Sequence, residues 1–197
     1  MWIIKLGGSL AKGIELKNWL RLIAEQGHGK LVIVPGGGVF ADCVRQEQKR
    51  LDLHETIAHE MAVQAMKQMA LVFQGLQPDL VIADSIEQMH QDLSKNKVVI
   101  WSPDIEWLNN QQIPATWNIS SDSLAAILAS RLDAERLILI KSAAISENTT
   151  ISQWITQGVI DKAFCEYTAN AIFNISVLNK YDLNSMLGLL TNYNADR

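Results

Sequence analysis

Short apolar runs recur along the chain between longer amphipathic stretches, the pattern of a parallel sheet whose strands are joined by crossover helices. The runs Trp2–Leu6, Leu31–Pro35, Leu80–Ala83, Val98–Trp101, Leu137–Lys141 and Ile175–Leu178 are continuous rather than alternating, which predicts strands covered on both faces. Helical spacing predicts helices over 14–26, 39–50, 55–74, 85–94, 122–132, 161–172 and 182–191. The expected fold is α/β, a three-layer αβα sandwich on a mainly parallel sheet. No repeat, low-complexity tract or proline-rich linker divides 1–197, so a single domain is expected. Ser142 to Thr150 is polar and aperiodic and reads as an exposed loop that gates a site. In the third predicted helix Ile57, Met61, Met66, Met69 and Phe73 recur at helical spacing. One wide face serving both core and partner predicts a homodimer; the alternative is that the whole stripe faces its own sheet.

Composition narrows the function classes. A hydrophobic fraction of 48% with 19% charged residues fills a core and leaves a soluble surface. The formal net charge of -4 and a pI near 5.5 lack the basic excess that nucleic acid requires. Cys43 and Cys165 are far apart and without metal-ligand spacing, so neither a disulfide framework nor zinc is expected, and a reducing cytoplasm fits. The first residues read as a strand rather than an export signal, and no apolar run approaches the roughly 20 residues of a membrane span.

Three motifs carry chemistry. Lys5-Leu6-Gly7-Gly8-Ser9-Leu10 runs a strand into two glycines, whose bare backbone N–H groups can face an anion beside a lysine; a plain tight turn is the alternative. Pro35-Gly36-Gly37-Gly38 repeats the device and feeds a helix N-terminus, which favours negative charge. Trp117 to Ala126 places Ser120, Ser121 and Asp122 at a helix start. Capping explains part of that cluster. An aspartate there, on the sheet edge of Lys5, also holds the lysine for a transferring phosphoryl group.

In this order and at these positions the motifs resemble the amino-acid kinase superfamily, and the chain is similar in particular to its methanofuran-biosynthesis branch. That closer likeness rests on Lys5 to Leu10, Pro35-Gly-Gly-Gly with Phe40, Ala41, Val44 and Arg45, Ile57 to Ala62, and Trp117 to Leu124. The resemblance implies an amino-acid-kinase (carbamate kinase-like) fold with the acceptor over the N-terminal half and the nucleotide over the C-terminal half. It implies ATP with Mg²⁺ and conversion of a phosphate monoester, (5-(aminomethyl)furan-3-yl)methyl phosphate, to its diphosphate. By the same resemblance Lys5 stabilises the transferred phosphoryl and Asp122 orients Lys5. Gly7, Gly8 and Ser9 line the nucleotide phosphates, while Gly36, Gly37, Gly38, Arg45, His59, Ser120 and Ser121 hold the acceptor; apart from the resemblance, Arg45 reads equally as a solvated helix arginine and His59 as a packing residue inside its helix.

The chain departs from the superfamily twice. The acidic, glycine-ended turn expected after the strand Leu137 to Ile140 is replaced by Lys141-Ser142-Ala143-Ala144. After Gly158-Val159-Ile160-Asp161 a lysine deep in the following helix is replaced by Glu166, which leaves Lys141 and Lys162 as substitutes on the nucleotide side. These departures motivate an alternative, a kinase-fold binding or regulatory protein with weakened catalysis. A kinase for another small acid or nucleotide shares the fold and differs in the acceptor pocket. The kinase reading expects Lys5 and Asp122 at a solvent-facing sheet edge, so that replacing them spares folding. It also expects the 142–150 loop to order over nucleotide.

Overall fold

The computed structural model describes residues 1–144 and 149–195. Its sheet comprises β1 (Trp2–Leu6), β2 (Leu31–Pro35), β3 (Val81–Ala83), β4 (Val99–Trp101), β5 (Arg136–Lys141) and β6 (Asn174–Asn179). The order is β3-β4-β2-β1-β5-β6 and every pairing is parallel. β1 lies between β2 and β5, so the chain leaves the centre in one direction and later returns to the other side. Such a reversal opens a crevice at the carboxyl ends of the central strands.

Side-chain alternation divides the core in two. Ile3, Val32, Val99, Leu137 and Leu139 face α4 (Ile86–Ser94), α5 (Ile105–Asn110), α6 (Ser121–Arg131) and α8 (Phe164–Thr168). Ile4, Leu6, Ile33, Ile100 and Ile138 face α1 (Glu15–Gly27) and α9 (Leu183–Ala195). α2 (Gly38–Leu51) packs on α3 (Glu55–Leu76), and α3 contributes Val63 and Met66 to the first core and Met69 and Phe73 to the second. α6 is apolar almost all round, as a helix wrapped by protein must be, and is buried from Asp122 to Ala129.

The long elements follow the apolar pattern to within one or two residues at most ends. The exceptions have identifiable causes. α5 and α7 (Ile151–Thr156) are too short to display a helical period and are set instead by their N-caps. Asp104 accepts from the backbone N–H groups of Glu106 and Trp107, and Thr150 forms a capping box with Gln153. The helix expected over 161–172 contracts to α8, because the Asp161 carboxylate is drawn to the start of α6 and does not open a helix of its own. In the expected gating loop, 145–148 lie outside the described residues, which leaves that expectation untouched. Among the described residues, no helix is long and apolar enough to cross a membrane.

Trp19 joins α1 to the loop before α9: the ring is fully buried and its indole N–H donates to the Lys180 carbonyl at 2.7 Å. Trp19→Phe is expected to lower the unfolding free energy by about 1–3 kcal/mol, because a partly buried carbonyl loses its donor as the core loses volume. A urea titration of both proteins measures it.

Candidate active site

Strand alternation selects which side chains reach the crevice. Lys5 shares the side of Ile3, and Lys141 the side of Leu137 and Leu139, so both lysines face α6. In register Lys5 lies opposite Leu139, which puts Lys141 two residues further along the neighbouring strand. The first turn of α6 lowers Asp122 between them. Its Oδ1 is 2.8 Å from Lys5 Nζ and its Oδ2 2.5 Å from Lys141 Nζ. The Lys5 contact is an ion pair off the line of a hydrogen bond, since Oδ1 has no aligned donor. Lys141 Nζ also donates to the Val159 carbonyl at 2.6 Å.

The expectation of a solvent-facing pair is corrected here. Lys5, Asp122 and Lys141 are only 5%, 3% and 8% exposed, because α6 lies directly on β1 and β5 and covers the lysine stems. Burial pushes the Asp122 carboxyl up, and Lys5 and then Lys141 more than reverse it, holding it below the usual carboxylate range. Burial, reinforced by the Lys5 charge, pushes the Lys141 ammonium down to about 8 against the pull of Asp122.

Asp161 fixes the start of α6. Its Oδ2 accepts from Ser120 N at 2.9 Å, Ser120 Oγ at 2.7 Å and Ser123 N at 3.0 Å, while its Oδ1 accepts from Ser123 Oγ. Ser120 Oγ in turn accepts from the backbone N–H of Asp122 at 3.3 Å. Sequence reasoning met Asp161 in the Gly158 to Asp161 segment without giving it a role. Its partners are about 40 residues away, and only the fold joins them.

The two glycine segments meet over this triad. A Cβ on Gly8 would lie 2.3 Å from the Cα and N of Gly38, so the approach of the two loops requires glycine at position 8. Gly38 has φ +56, a left-handed conformation that opens α2. Gly7 serves the sheet: its N–H donates to the Ile140 carbonyl at 3.3 Å. Ser9 Oγ is 2.9 Å from Ser142 Oγ, tying the turn after β1 to the segment after β5.

A cavity of about 240 Å³ opens over Lys5, Gly8, Gly36, Ser121 and Lys141, with Lys12 also on its wall. A smaller cavity of about 60 Å³ adjoins it, walled by His59, Val63, Met66, Trp117 and Leu124. Gly37, Arg45, Ser120 and Ser121 border both. Arg45 stacks over the Trp117 ring at 4.4 Å and pairs with Asp42 at 3.2 Å. His59 is buried, and burial pulls its imidazole below the usual histidine value against the field of Glu55 and Glu60. The structure thus brings together Lys5, Gly8, Gly36, Gly37, Gly38, Arg45, His59, Ser120, Ser121, Asp122 and Lys141. Lys162 is exposed and borders neither cavity. Lys12 escaped notice, for a lone lysine past the motif carries no sequence signal.

The sequence pattern of the amino acid kinase family matches residues 1–144. The chain belongs to the amino acid kinase family. A relative of assigned activity, the [5-(aminomethyl)furan-3-yl]methyl phosphate kinase of Methanocaldococcus jannaschii, is 30% identical over 140 residues. That stretch is 71% of this chain but 64% of the relative's length. Among solved structures, uridylate kinase from Archaeoglobus fulgidus superposes with a TM-score of 0.70 at 17% identity, covering 96% of this chain and 95% of that one. UMP kinase from Bacillus anthracis gives 0.67 at 13% identity, covering 97% and 91%. At such identities the likeness is one of fold, and it establishes the αβα architecture.

The depressed Lys141 value has a consequence for this family member. Between pH about 8 and the ordinary lysine value near 10.4 the unfolded chain holds a proton that the folded chain has released. Stability contributed at this site therefore rises with pH across that window and is constant below it. Lys141→Met is expected to abolish the rise, which denaturant titrations at several pH values between about 7 and 10 measure.

Proposed function

We propose that this chain is an ATP-dependent, cytoplasmic kinase whose acceptor is a phosphate monoester, (5-(aminomethyl)furan-3-yl)methyl phosphate or a close analogue. The observation that carries the reading is the pair of buried ammonium groups sharing one carboxylate beneath two glycine loops. With Asp122 ionised, the triad keeps an excess positive charge under the open cavity, which suits a transferring phosphoryl group. The acceptor phosphate would lie at Arg45, Gly37, Ser120 and Ser121, which border both cavities, with its organic body in the smaller one beside His59. A guanidinium at that junction suits a phosphate's paired oxygens. Gly8, Ser9 and Lys141 would face the phosphates of ATP, so Lys141 supplies from β5 the second phosphate cation.

The reaction breaks the bond from the γ-phosphorus of ATP to ADP and forms one to an acceptor phosphate oxygen. That oxygen is already ionised near neutral pH, so no general base is needed. The donor set fits Mg²⁺ carried on the nucleotide. Asp122 is taken by two lysines and Asp42 by Arg45, and the described residues offer no cluster of three metal-ligating side chains. Such an ion is held chiefly by substrate phosphates, where it neutralises charge.

A homodimer belongs to the same proposal. Of the stripe on α3, Met66, Met69 and Phe73 are buried in the chain's own core, whereas Ile57 is exposed and Met61 half-buried. Leu71 and Val72 on α3, and Val39 on α2, remain exposed as well. Light scattering at micromolar concentration is expected to give twice the chain mass, and a monomer removes this part of the reading.

Incubation with Mg-ATP and a panel of phosphate monoesters, read by product mass, tests the activity, and no product from any acceptor leaves a binding or regulatory role. Lys5→Met keeps the buried stem and is expected to lower turnover by about 10²-fold or more. Asp122→Asn is expected to lower turnover with a modest change in acceptor KM. The double variant should lose little beyond Lys5→Met, since groups acting as a unit are non-additive. Turnover of Lys5→Met within about twofold of the parent would refute the assigned role. Melting curves separate these effects from loss of fold.

A further inference from the structure

Trp117 is held from several directions, by α2, by the start of α3 and, through its neighbour Asn118, by the segment that opens α8. Its indole N–H donates to Gln48 Oε1 on α2 at 2.6 Å, and its backbone N–H donates to Glu55 Oε1 at the start of α3 at 3.0 Å. Thr116 Oγ1 donates to the same carboxylate oxygen at 2.9 Å, and the next residue, Asn118, accepts from Ala163 N at 3.1 Å through its carbonyl. The ring so fixed does two things. It walls the smaller cavity, and it carries the Arg45 guanidinium 4.4 Å from its centroid at the border between the cavities. A guanidinium over an indole face directs its N–H groups outward from the ring; Nη1 of Arg45 is on Asp42 at 3.2 Å, which leaves the other N–H groups for an anion.

The size of the cavity adds a constraint. A volume of about 60 Å³ is well below the roughly 150 Å³ of an apolar cavity that binds benzene, so the recess admits at most one small ring. A pyrimidine joined to a ribose is far larger. The walls against such a ligand are Met66, Val63, Ile119 and Leu124, which are buried in the core, with Trp117 closing the loop side.

We infer that Trp117 is the acceptor-selecting residue. It positions Arg45 for the acceptor phosphate, and it restricts the acceptor body to a single small ring, excluding nucleoside monophosphates. The inference rests on the kinase reading above and deepens it. Trp117 acts through Arg45 and through shape, so it is a positioning residue rather than a catalytic one.

The test uses the full chain with Mg-ATP and three acceptors, furan-3-ylmethyl phosphate, benzyl phosphate and UMP. Binding of each acceptor without nucleotide is measured in parallel by calorimetry. The parent is expected to prefer furan-3-ylmethyl phosphate over UMP by about 10²-fold or more in kcat/KM, the scale of discrimination by pocket size. Trp117→Ala should raise the KM for furan-3-ylmethyl phosphate about tenfold or more and narrow that preference, leaving the KM for ATP unchanged. Trp117→Phe keeps a ring under Arg45 and should retain most of the selectivity. Gln48→Met, which frees the indole without touching the cavity, should narrow it several-fold and keeps the test open if Trp117→Ala does not fold. A purely structural Trp117 would lower the melting temperature and leave the acceptor ratio where it was, which overturns the inference. So does a parent that uses or binds UMP as well as the small-ring phosphates, while the kinase reading stands. If no acceptor is phosphorylated the kinase reading fails, and the calorimetric preference alone then upholds or overturns selection by Trp117.

Discussion

A single carboxylate shared by two ammonium groups governs this structure. Asp122 is buried, and a buried charge is tolerated only when paired. Lys5 and Lys141 supply two partners where one would balance it, so the pocket floor is left with a positive excess. Much of the local architecture serves that arrangement. Asp161 gathers Ser120 and Ser123 to fix the start of α6, which fixes Asp122, and the Val159 carbonyl accepts a further hydrogen bond from Lys141. Each link is short, and the two ion pairs of Asp122 are buried, so the charges stand at set positions.

The sheet explains why these charges stand at an opening. β1 is central, and the chain departs from it toward β2 and returns beside it as β5, so the carboxyl ends of β1, β2 and β5 border one crevice. Side chains on the α6 face of β1 and β5 can meet only what α6 presents. β2 contributes no charge there but ends in glycines, and the two glycine segments come within contact of one another where any side chain would collide. The resulting space combines a charged floor with backbone walls. The adjoining apolar recess is built by α3, α6 and the loop carrying Trp117, elements set by packing on the other side of the crevice. A charged floor and an apolar recess thus stand side by side, because β1 and β5 turn lysines toward α6 while α3 and α6 present apolar side chains next to them.

Much was legible in the chain itself. Continuous apolar runs announced buried parallel strands, and Trp2–Leu6 and Leu31–Pro35 needed no adjustment. Glycines directly after those strands marked the crevice, because few other roles require so many adjacent residues without side chains. Ser120 to Asp122 before a run of helix formers marked the start of α6. These features are local: each depends on a period, a cap or a backbone preference contained within a few residues. The pairing of Lys5 with Asp122 followed because each stood at a motif whose place at the sheet edge was clear.

What only the tertiary structure decided is everything that depends on distance through space. The chain presents Lys141 and Lys162 as similar cations; strand parity turns the first into the cavity, while the second lies on an exposed turn. Asp161 reads as a helix start and instead binds another helix. The stripe on α3 reads as one face, and packing divides it between the core and the surface, because a helix that crosses a sheet edge meets different neighbours along its length. Burial of the Lys5 and Asp122 pair was likewise invisible, since no local pattern states how closely one helix lies on a strand more than 100 residues away. Local sequence determines what each segment can be, and desolvation and long-range pairing determine what each charge becomes.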